Sequence, residues 1–311
     1  MMNKVTGNII LVHKGALGDF LLAWPSFLSI RSRFSKAEVF WHGRGEFFSW
    51  LKPLGIFKVD SMTARSLDSL YSRPEWPEKL IGFTVFWFGL DRITVPQVHP
   101  ALFYLKGIDH HLPRHVRKAY ATTLQALGIP FRHDWHKTWN KLFDGSAGKR
   151  QPVLIFPGSG NSKKNWPLKN YIWIYEQLNN RKHDVRIVLG PADRHLRLDL
   201  QEINPVYCDA LEQLQKLIIQ SRLCLGNDSG PMHLASMHRV PGLVLFGPTS
   251  LARWRPSGLK TIKSREACAP CSSIARIECA EAKCMSAIKK EQVLAILCNM
   301  LVKQKKPAFL S

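Results

Sequence analysis

Residues 225–235 read LGNDSGPMHLA, a polar turn between a short apolar run and a helix-like stretch. The apolar run is bounded by turn residues, as a fully buried parallel strand requires. Pro231 suits the first position of a helix because its missing N–H would have no intrahelical partner there. The stretch therefore predicts a strand that passes directly into a helix, at whose start exposed backbone N–H groups can bind an anion.

The turn itself has two interpretations. Asp228 or Ser229 can cap the helix, and the amides around Ser229 and Gly230 then point at the carboxyl edge of the sheet, where ligands bind in open α/β domains. The alternative is an ordinary capped helix with a buried His233. This segment alone does not separate the two.

Apolar runs alternate with amphipathic stretches along the whole chain, which is typical of βα units. In the first half we predict strand Ile9–Val12, helix Phe20–Arg33, strands Ala37–Trp41 and Ile81–Phe88, and helix Val116–Leu127. In the second half we predict strand Val153–Phe156, helix Leu168–Asn179, strand Val185–Leu189, helix Ala210–Ile219, and strands Leu223–Leu225 and Leu243–Phe246. Two doubly wound α/β domains follow from this pattern.

The boundary between the domains is predicted from a polar, glycine-bearing stretch between Leu142 and Pro152, which has nothing periodic to bury. The predicted domains are residues 1–145 and residues 152–311, each of ordinary domain size. A final helix is predicted from Lys289 to Lys303, where apolar residues follow one helical face. We expect it to be a terminal packing helix, with packing back on the N-terminal domain as an alternative.

The composition is that of a folded protein with a large basic excess. Lys and Arg number 44 against 23 Asp and Glu, a formal charge of +21, which favours an anionic partner. Nucleic acid, anionic lipid and phosphorylated glycan all qualify. The excess is spread along the chain, whereas a basic tail or an aromatic-rich RNA-binding pattern would indicate nucleic acid more directly, so charge alone does not choose the partner. No apolar run reaches the roughly 18 residues that cross a bilayer, and no signal peptide is recognisable at the start. A cytoplasmic protein is therefore expected.

Four of the seven cysteines form a cluster, Cys268, Cys271, Cys279 and Cys284. The first two have the C-x2-C spacing of a zinc site, but the second two lack the short spacing typical of a zinc ribbon. Zinc is therefore the minor alternative, and no metal is predicted. In an unexported protein the cysteines should be mostly thiols.

A second motif, FPGSGNSKKNWP at residues 156–167, follows the first predicted strand of the second half. Gly158 and Gly160 would let the backbone approach a diphosphate closely, Ser159 offers a hydroxyl, and Lys163 or Lys164 supplies positive charge. A solvated surface turn explains this loop equally well.

A third motif, HKGALGDFLL at residues 13–22, lies where the first predicted strand meets the first helix. Its glycines permit a tight turn, and Asp19 falls at the carboxyl edge of the sheet, where a ligand can bind. Considered by itself, Asp19 fits a helix cap better, because Asp is so common at that position.

Together the three motifs resemble glycosyltransferase family nine, the heptosyltransferases of lipopolysaccharide core biosynthesis. The resemblance rests on Lys14–Asp19, on Pro157–Ser159 with Lys164–Pro167, on Asp228–Ala235 and on Phe246–Thr249. It covers nearly the whole chain, and the motifs occur in the order of the family. The cysteine cluster also resembles one carried by many members.

The resemblance implies a GT-B fold, in which two Rossmann-like domains face a central cleft. The first domain would bind mainly the acceptor and the second mainly the nucleotide donor. It also implies inverting transfer of a heptose from ADP-heptose to an anionic lipopolysaccharide-core acceptor, without an obligatory metal or other cofactor. Lys164 and the helix start would then offset the charge of the leaving diphosphate.

The resemblance also assigns roles to individual residues. Asp19 is implied as the general base that takes the proton from the acceptor hydroxyl. Ser159 and Lys164 correspond to positions that hold the diphosphate. Asp193 stands where the family has an acidic residue, usually Glu, that meets the nucleotide ribose. The donor-binding loop at the helix start would comprise Asp228, Ser229, Gly230 and His233.

The expected partners are ADP-heptose or a similar nucleotide sugar and the anionic acceptor, with peripheral contact at the cytoplasmic face of the inner membrane and no nucleic acid. Three alternatives stay open. One is a relative that uses another nucleotide sugar or another glycan acceptor. The second is a non-catalytic nucleotide-sugar-binding module, whose donor binding would survive loss of Asp19. The third is a nucleic-acid-binding protein, which would show a steep salt dependence with RNA or DNA.

Overall fold

The computed structural model describes residues 7–72, 75–90, 99–108, 113–143, 151–271, 279 and 281–303. The chain divides into two compact units, residues 1–142 and residues 143–311. Each unit is built around a parallel sheet of its own. The linker predicted between Leu142 and Pro152 falls mainly on residues 144–150, which lie outside the described residues.

The first unit contains a five-stranded sheet in the order β3-β2-β1-β4-β5. Its strands are β1 (Asn8–His13), β2 (Val39–Gly43), β3 (Ile56–Lys58), β4 (Phe83–Gly89) and β5 (Leu102–Lys106). Its helices are α1 (Leu17–Arg33), α2 (Ser61–Ser69), α3 (Val116–Ala126) and α4 (Trp135–Phe143). Strand β1 is central and covered on both faces, and Ile9, Ile10, Leu11 and Val12 are fully buried, as a continuous apolar run predicts.

Helix α1 is buried along most of its length. Every residue from Phe20 to Ile30 is buried, which requires apolar residues on all sides of the helix rather than along one stripe. The helix packs against α3, and the Trp24 ring meets the Trp139 ring of α4 edge-on, with 4.9 Å between ring centroids. This packing fixes the first turn of α1, which carries Asp19, at the carboxyl end of β1.

The second unit contains a six-stranded sheet in the order β11-β10-β9-β6-β7-β8. Its strands are β6 (Val153–Phe156), β7 (Val185–Leu189), β8 (Val206–Tyr207), β9 (Leu223–Asn227), β10 (Gly242–Phe246) and β11 (Lys260–Lys263). Its helices are α5 (Leu168–Asn180), α6 (Leu211–Gln220), α7 (Gly230–Met237), α8 (Leu251–Trp254), α9 (Lys283–Ser286) and α10 (Lys290–Lys303).

The terminal helix α10 belongs to the core of the second unit. Val293 and Leu297 of this helix lie in one apolar cluster with Ile174 of α5 and with Ile155 and Leu245 of the sheet. The apolar face predicted for residues 289–303 is therefore buried, as a terminal packing helix requires.

The predicted α/β class, with two parallel sheets and helices on their faces, is confirmed. The structure adds short elements that the sequence pattern did not predict, namely β3, β5, β8, β11, α2, α4, α8 and α9. Among the helices of the described residues, none is both long enough and apolar enough to cross a bilayer.

Candidate functional site

Four neighbouring strands of the second unit end beside one another and carry the second-half motifs. In the order β10-β9-β6-β7 all pairings are parallel, so the loops that follow these strands share one edge of the sheet. The loop after β6 carries Ser159 and Lys164, and the loop after β7 carries Asp193. The turn after β9 carries Asp228 and Ser229. Six residues from three separate loops thus gather at the ligand-binding edge of a doubly wound sheet: Ser159, Lys164, Asp193, Asp228, Ser229 and Gly230.

Asp228 is a buried carboxylate with partners on both oxygens. Lys164 Nζ donates to the Asp228 backbone oxygen at 2.8 Å and lies 3.6 Å from Oδ2. His233 Nε2 lies 3.6 Å from Oδ1. Burial by itself would raise the pKa of Asp228, but the Lys164 ammonium and the neighbouring His233 and Thr249 side chains together hold this pKa below its usual range. The carboxylate is therefore ionised at neutral pH, and it fixes a lysine at the start of α7.

Asn227 links the turn after β9 to the loop after β6. Its side-chain oxygen accepts hydrogen bonds from the Trp166 backbone N–H at 3.0 Å and from the Tyr171 hydroxyl at 2.8 Å. Its amide nitrogen donates to the Pro157 backbone oxygen at 2.8 Å. Because this side chain is fully buried, the loop of residues 157–166 is held against the turn after β9 by bonds that water cannot replace.

The Ser159 hydroxyl bonds to residues of its own loop. Its hydroxyl lies 2.8 Å from the Asn161 backbone oxygen and 2.6 Å from Asn165 Oδ1, both of which can accept its proton. The loop is therefore an ordered turn. The hydroxyl oxygen still has lone-pair capacity toward a ligand.

Asp193 packs against the glycine of the neighbouring loop. A Cβ placed on Gly158 would lie 1.6 Å from Asp193 Oδ1, so only glycine fits there with the carboxylate in this position. Asp193 Oδ2 accepts the Gly190 N–H at 3.1 Å. Burial raises the pKa of Asp193, against the lowering effects of that N–H and of His195.

Ser229 corrects the capping prediction. It occupies the N-cap position of α7, but neither Asp228 nor Ser229 caps the helix through a side-chain hydrogen bond. The helix begins at Gly230, so Pro231 is its second residue, one position later than predicted. The Ser229 hydroxyl oxygen is buried and, within the described part of the chain, has no hydrogen-bond partner. A buried unsatisfied hydroxyl costs stability, so its presence at a helix start points to a ligand that bonds to it.

Asp19 lies in the first unit, in the first turn of α1. The helix begins at Leu17, so Asp19 is its third residue rather than its N-cap. Its Oδ2 accepts the Ala16 backbone N–H at 3.1 Å, which is a capping contact made from inside the helix. A Cβ on Gly15 would come within 2.9 Å of the Asp19 Cβ, so the turn from β1 into α1 brings the backbone close to this carboxylate.

A charged network lies beside the same turn. Lys14 Nζ donates to Asp68 of α2, and His42 Nε2 lies 3.0 Å from the same Asp68 oxygen. Burial by itself would raise the pKa of Asp68, but Lys14 and His42 lower it below its usual range. Lys14 also lies 5.1 Å from the centre of the Tyr71 ring and 5.7 Å from the Trp87 ring.

Next to this network is a cavity of about 550 Å³. Its walls combine hydroxyls and charged groups of α2 and of the segment that follows: Arg65, Ser66, Asp68, Ser69, Ser72, Glu75 and Pro77. Such a lining suits a polar ligand with many hydroxyl groups.

Three other arginines of the first unit are engaged by neighbouring side chains. Arg44 pairs with Glu46, and Arg114 donates to the Thr122 hydroxyl at 3.2 Å. Arg117 lies over the Trp135 ring at 4.4 Å. Arg92 lies outside the described residues. Arg65, by contrast, lines the cavity.

Metal ligation is not built into the described residues. No three side chains among their His, Cys, Asp and Glu residues are arranged to hold a metal ion. All seven cysteines are free, and residues 272–278 of the clustered segment lie outside the described part.

Comparison with known proteins identifies the family. Residues 89–284 match the sequence profile of glycosyltransferase family 9 (heptosyltransferase). A lipooligosaccharide heptosyltransferase 2 of Campylobacter jejuni serotype O:6 is 32% identical over 310 residues, which cover 89% of this chain and 94% of the relative. The chain belongs to glycosyltransferase family 9. The corresponding protein of serotype O:2 is 24% identical and covers 92% of this chain and 95% of the relative. The predicted glycosyltransferase of the heptosyltransferase family is thereby confirmed.

Solved structures agree on the fold. The E. coli ADP-heptose lipopolysaccharide heptosyltransferase II has a TM-score of 0.66 at 15% identity, and the match covers 96% of this chain and 100% of that one. A family 9 glycosyl transferase of Veillonella parvula also has a TM-score of 0.66, at 16% identity, covering 97% of this chain and 99% of that one. The predicted GT-B fold class is confirmed by this likeness.

Some residues of the site were not predicted from sequence. Asn227 stands inside the motif that was quoted, where a polar residue ending a buried strand is the recognisable feature. Asp68 and His42 were not predicted, because α2 was not predicted and the contact between them joins residues 26 positions apart. His42 directly follows the predicted strand Ala37–Trp41, whereas Asp68 lies in no predicted element.

Proposed function

We propose that this family 9 enzyme transfers a heptose from ADP-heptose to an anionic acceptor of the lipopolysaccharide core, with inversion at the anomeric carbon. The second unit binds the nucleotide sugar, and the first unit binds the acceptor. The observation that carries the proposal is the junction of Lys164, Asp228 and the start of α7, because it places a cation beside a helix N-terminus at the ligand-binding edge of the sheet.

This junction suits a diphosphate leaving group. The Lys164 side chain is 19% exposed, so its charge acts in a partly desolvated place while remaining accessible to a ligand. The buried Ser229 hydroxyl, which has no hydrogen-bond partner in the described structure, can donate to a phosphate oxygen. Lys164 and the α7 terminus together stabilise the negative charge that develops as ADP departs. We therefore propose that the reaction proceeds without a metal or other cofactor.

Asp19 acts as the general base. The acceptor hydroxyl oxygen attacks the anomeric carbon opposite to the ADP, the bond from that carbon to the diphosphate oxygen breaks, and the hydroxyl proton passes to Asp19. The Ala16 N–H orients the carboxylate for this step. The cavity beside Lys14 and Asp68 offers Arg65 and three serine hydroxyls to an anionic, hydroxyl-rich acceptor.

The named relatives support the donor and the acceptor. A solved E. coli heptosyltransferase in complex with ADP has a TM-score of 0.61 at 11% identity, covering 94% of this chain and 99% of that one. The sequence relatives are named for transfer to lipooligosaccharide. For such an acceptor, which is lipid-linked, we propose peripheral contact of the enzyme with the cytoplasmic face of the inner membrane and no role for nucleic acid.

Asp193 bears on how the nucleotide is held rather than on which sugar is transferred. Its side chain is shorter than the usual Glu and is held against Gly158 and the Gly190 N–H, so its reach toward a ribose is reduced. Because every nucleotide sugar carries a ribose, a panel of donors decides between ADP-heptose and another nucleotide sugar.

The test is acceptor-dependent nucleotide release by the purified protein, with ADP-heptose, other ADP-sugars and UDP-sugars as donors and deep-truncated lipopolysaccharide as acceptor. Release of ADP from ADP-heptose only when acceptor is present, with an inverted anomeric product, is the expected result. Nucleotide release from a different donor would support the glycosyltransferase activity and contradict heptose as the transferred sugar. Thermal stabilisation by a donor with no release from any of them would favour the non-catalytic binding module.

A further inference from the structure

The loop after β10 carries a buried hydroxyl group to which the proposed reaction gives no role. Thr249 lies in residues 247–249, directly after β10, and is 3% exposed. Its Oγ1 is buried and, within the described part of the chain, has no hydrogen-bond partner. An unsatisfied buried hydroxyl costs stability, so its retention in a loop at the ligand-binding edge points to a ligand that bonds to it.

Thr249 lies beside the turn that carries Asp228. Strands β9 and β10 pair in parallel, and the Asp228 backbone N–H donates to the Leu245 backbone oxygen at 3.2 Å. The Thr249 side chain is close enough to the Asp228 carboxylate to lower its pKa, although no hydrogen bond joins the two groups. The Thr249 hydroxyl therefore belongs to the same edge of the sheet as Lys164 and Ser229.

The backbone that carries Thr249 is held in place by its neighbours. The Pro248 backbone oxygen accepts the Cys271 N–H at 2.9 Å. A Cβ on Gly247 would clash with Met285 Sδ of α9, so this loop packs closely against α9. A group that is already fixed loses little conformational freedom when it binds a ligand. The position of the Thr249 hydroxyl is therefore preformed.

The strand order indicates which part of a nucleotide sugar reaches Thr249. Along this edge the order is β7-β6-β9-β10. In the proposed donor complex, Asp193 after β7 lies nearest the ribose, and Lys164 after β6 and Ser229 after β9 hold the diphosphate. Neighbouring strands are about 4.8 Å apart, close to the width of one sugar ring. The transferred sugar is attached to the diphosphate at the end opposite to the ribose, so it falls at β10.

We propose that the Thr249 hydroxyl forms a hydrogen bond with a hydroxyl group of the transferred sugar and so contributes to the choice of donor. This inference deepens the proposed function, on which it rests for the nucleotide-sugar donor. The Thr249 hydroxyl can both donate to a sugar hydroxyl and accept from it. A sugar that lacks the matching group leaves the buried Thr249 hydroxyl unpaired, which penalises binding of that sugar.

The experiment is calorimetric titration of the full chain with ADP and with ADP-heptose, for the wild type, Thr249→Val and Thr249→Ser. Valine keeps the shape of threonine and removes the hydroxyl, whereas serine keeps the hydroxyl. Thr249→Val should weaken ADP-heptose binding about fivefold, the effect of one neutral hydrogen bond, and leave ADP binding unchanged. Its Tm should not fall, because the hydroxyl has no bond to lose in the unliganded chain. Thr249→Ser should bind both ligands as the wild type does.

Thr63 supplies a matched control in the first unit. Its side chain is also buried, but its hydroxyl donates to Asp60 Oδ2 at 2.6 Å. Thr63→Val removes a bonded hydroxyl, so it should lower Tm and leave both dissociation constants unchanged.

Three results would overturn the proposal. Equal weakening of ADP and ADP-heptose binding by Thr249→Val would assign the hydroxyl to the diphosphate or to Asp228. A lower Tm for Thr249→Val with both dissociation constants unchanged would give the hydroxyl a structural role. A Thr249→Ser variant that binds ADP-heptose as weakly as Thr249→Val would assign the effect to the methyl group.

Acceptor-dependent nucleotide release by the wild type, measured in parallel, separates this inference from the proposed function. Release by the wild type without a selective loss of ADP-heptose binding in Thr249→Val would refute the sugar contact alone. Absence of release from any donor, with the selective loss present, would refute the proposed transfer and support the sugar contact.

Discussion

Replacing Lys164 with methionine tests the electrostatic core of the donor site. The Asp228 side chain is 6% exposed, and Lys164 Nζ lies 3.6 Å from its Oδ2. Removing one partner of a buried ion pair costs about 3–5 kcal/mol when the remaining charge has no other partner. Here His233 stays 3.6 Å from the other oxygen and the lysine is partly exposed, so we expect about 2 kcal/mol, which lowers Tm by roughly 4–8 °C for a unit of this size.

The assay is thermal unfolding of Lys164→Met beside Lys169→Met, in which an exposed lysine at the start of α5 loses the same charge. Repeating the measurement at several pH values tests whether the Tm difference depends on the Asp228 charge. The pKa of Asp228 is depressed in the folded state, so its stabilising effect is present above the unfolded pKa of about 3.9 and is lost as pH falls through the folded value. Lys164→Met raises that folded pKa, so the difference in Tm should shrink from pH 7 toward about pH 3.

Either of two results would refute this reasoning. Equal Tm values for Lys164→Met and Lys169→Met at pH 7 would mean that the Lys164 contact contributes nothing beyond net charge. A Tm difference that persists unchanged into acid would mean that the loss arises from packing rather than from the Asp228 charge.

Three further predictions concern the same edge of the sheet. Gly158→Ala should lower both Tm and donor affinity, because its Cβ would lie 1.6 Å from the Asp193 carboxylate oxygen. Calorimetry measures both, and Gly160→Ala is the control, because a Cβ at Gly160 meets nothing within 4 Å. Ser229→Ala should weaken donor binding about fivefold to tenfold without loss of Tm, because its hydroxyl is unpaired in the described structure. In contrast, Ser236→Ala on the same helix breaks a 2.6 Å bond and should lower Tm without affecting the donor Kd. Asn227→Asp should cost about 2–3 kcal/mol in urea unfolding, because an oxygen replaces the amide that donates to a backbone carbonyl; an unchanged midpoint would contradict the clamp assigned to it.

The sequence predicted the elements that are long or strongly periodic. Strand β1 and helix α1 are recognisable because a central strand and a buried helix require uninterrupted apolar residues. By contrast, β3 has only three residues, of which Ile56 alone is buried, so it has no alternation to detect. Helix α2 presents only Thr63 and Leu67 to the core, which is too little periodicity for a sequence pattern.

The candidate site was predictable where its residues are adjacent in sequence. Asp228, Ser229 and Gly230 follow one another at a strand end, so their grouping is visible in the sequence. Partnerships across the sheet were not visible, since Lys164 and Asp228 are 64 residues apart and meet only through the pairing of β6 with β9. The role of Ser229 shows the same limit, because its sequence position favours a cap, whereas the folded loop leaves its hydroxyl without a partner.

The most direct test of the account is the turnover of Asp19→Asn with ADP-heptose and truncated lipopolysaccharide. The asparagine oxygen can still accept the Ala16 N–H, so the start of α1 is retained while the base is lost. We predict that kcat falls about 10²- to 10⁴-fold, the range typical of a lost general base, with donor Kd and Tm unchanged. A variant that retains kcat within about tenfold of the wild type, below that range, would contradict the assignment of Asp19 as the base.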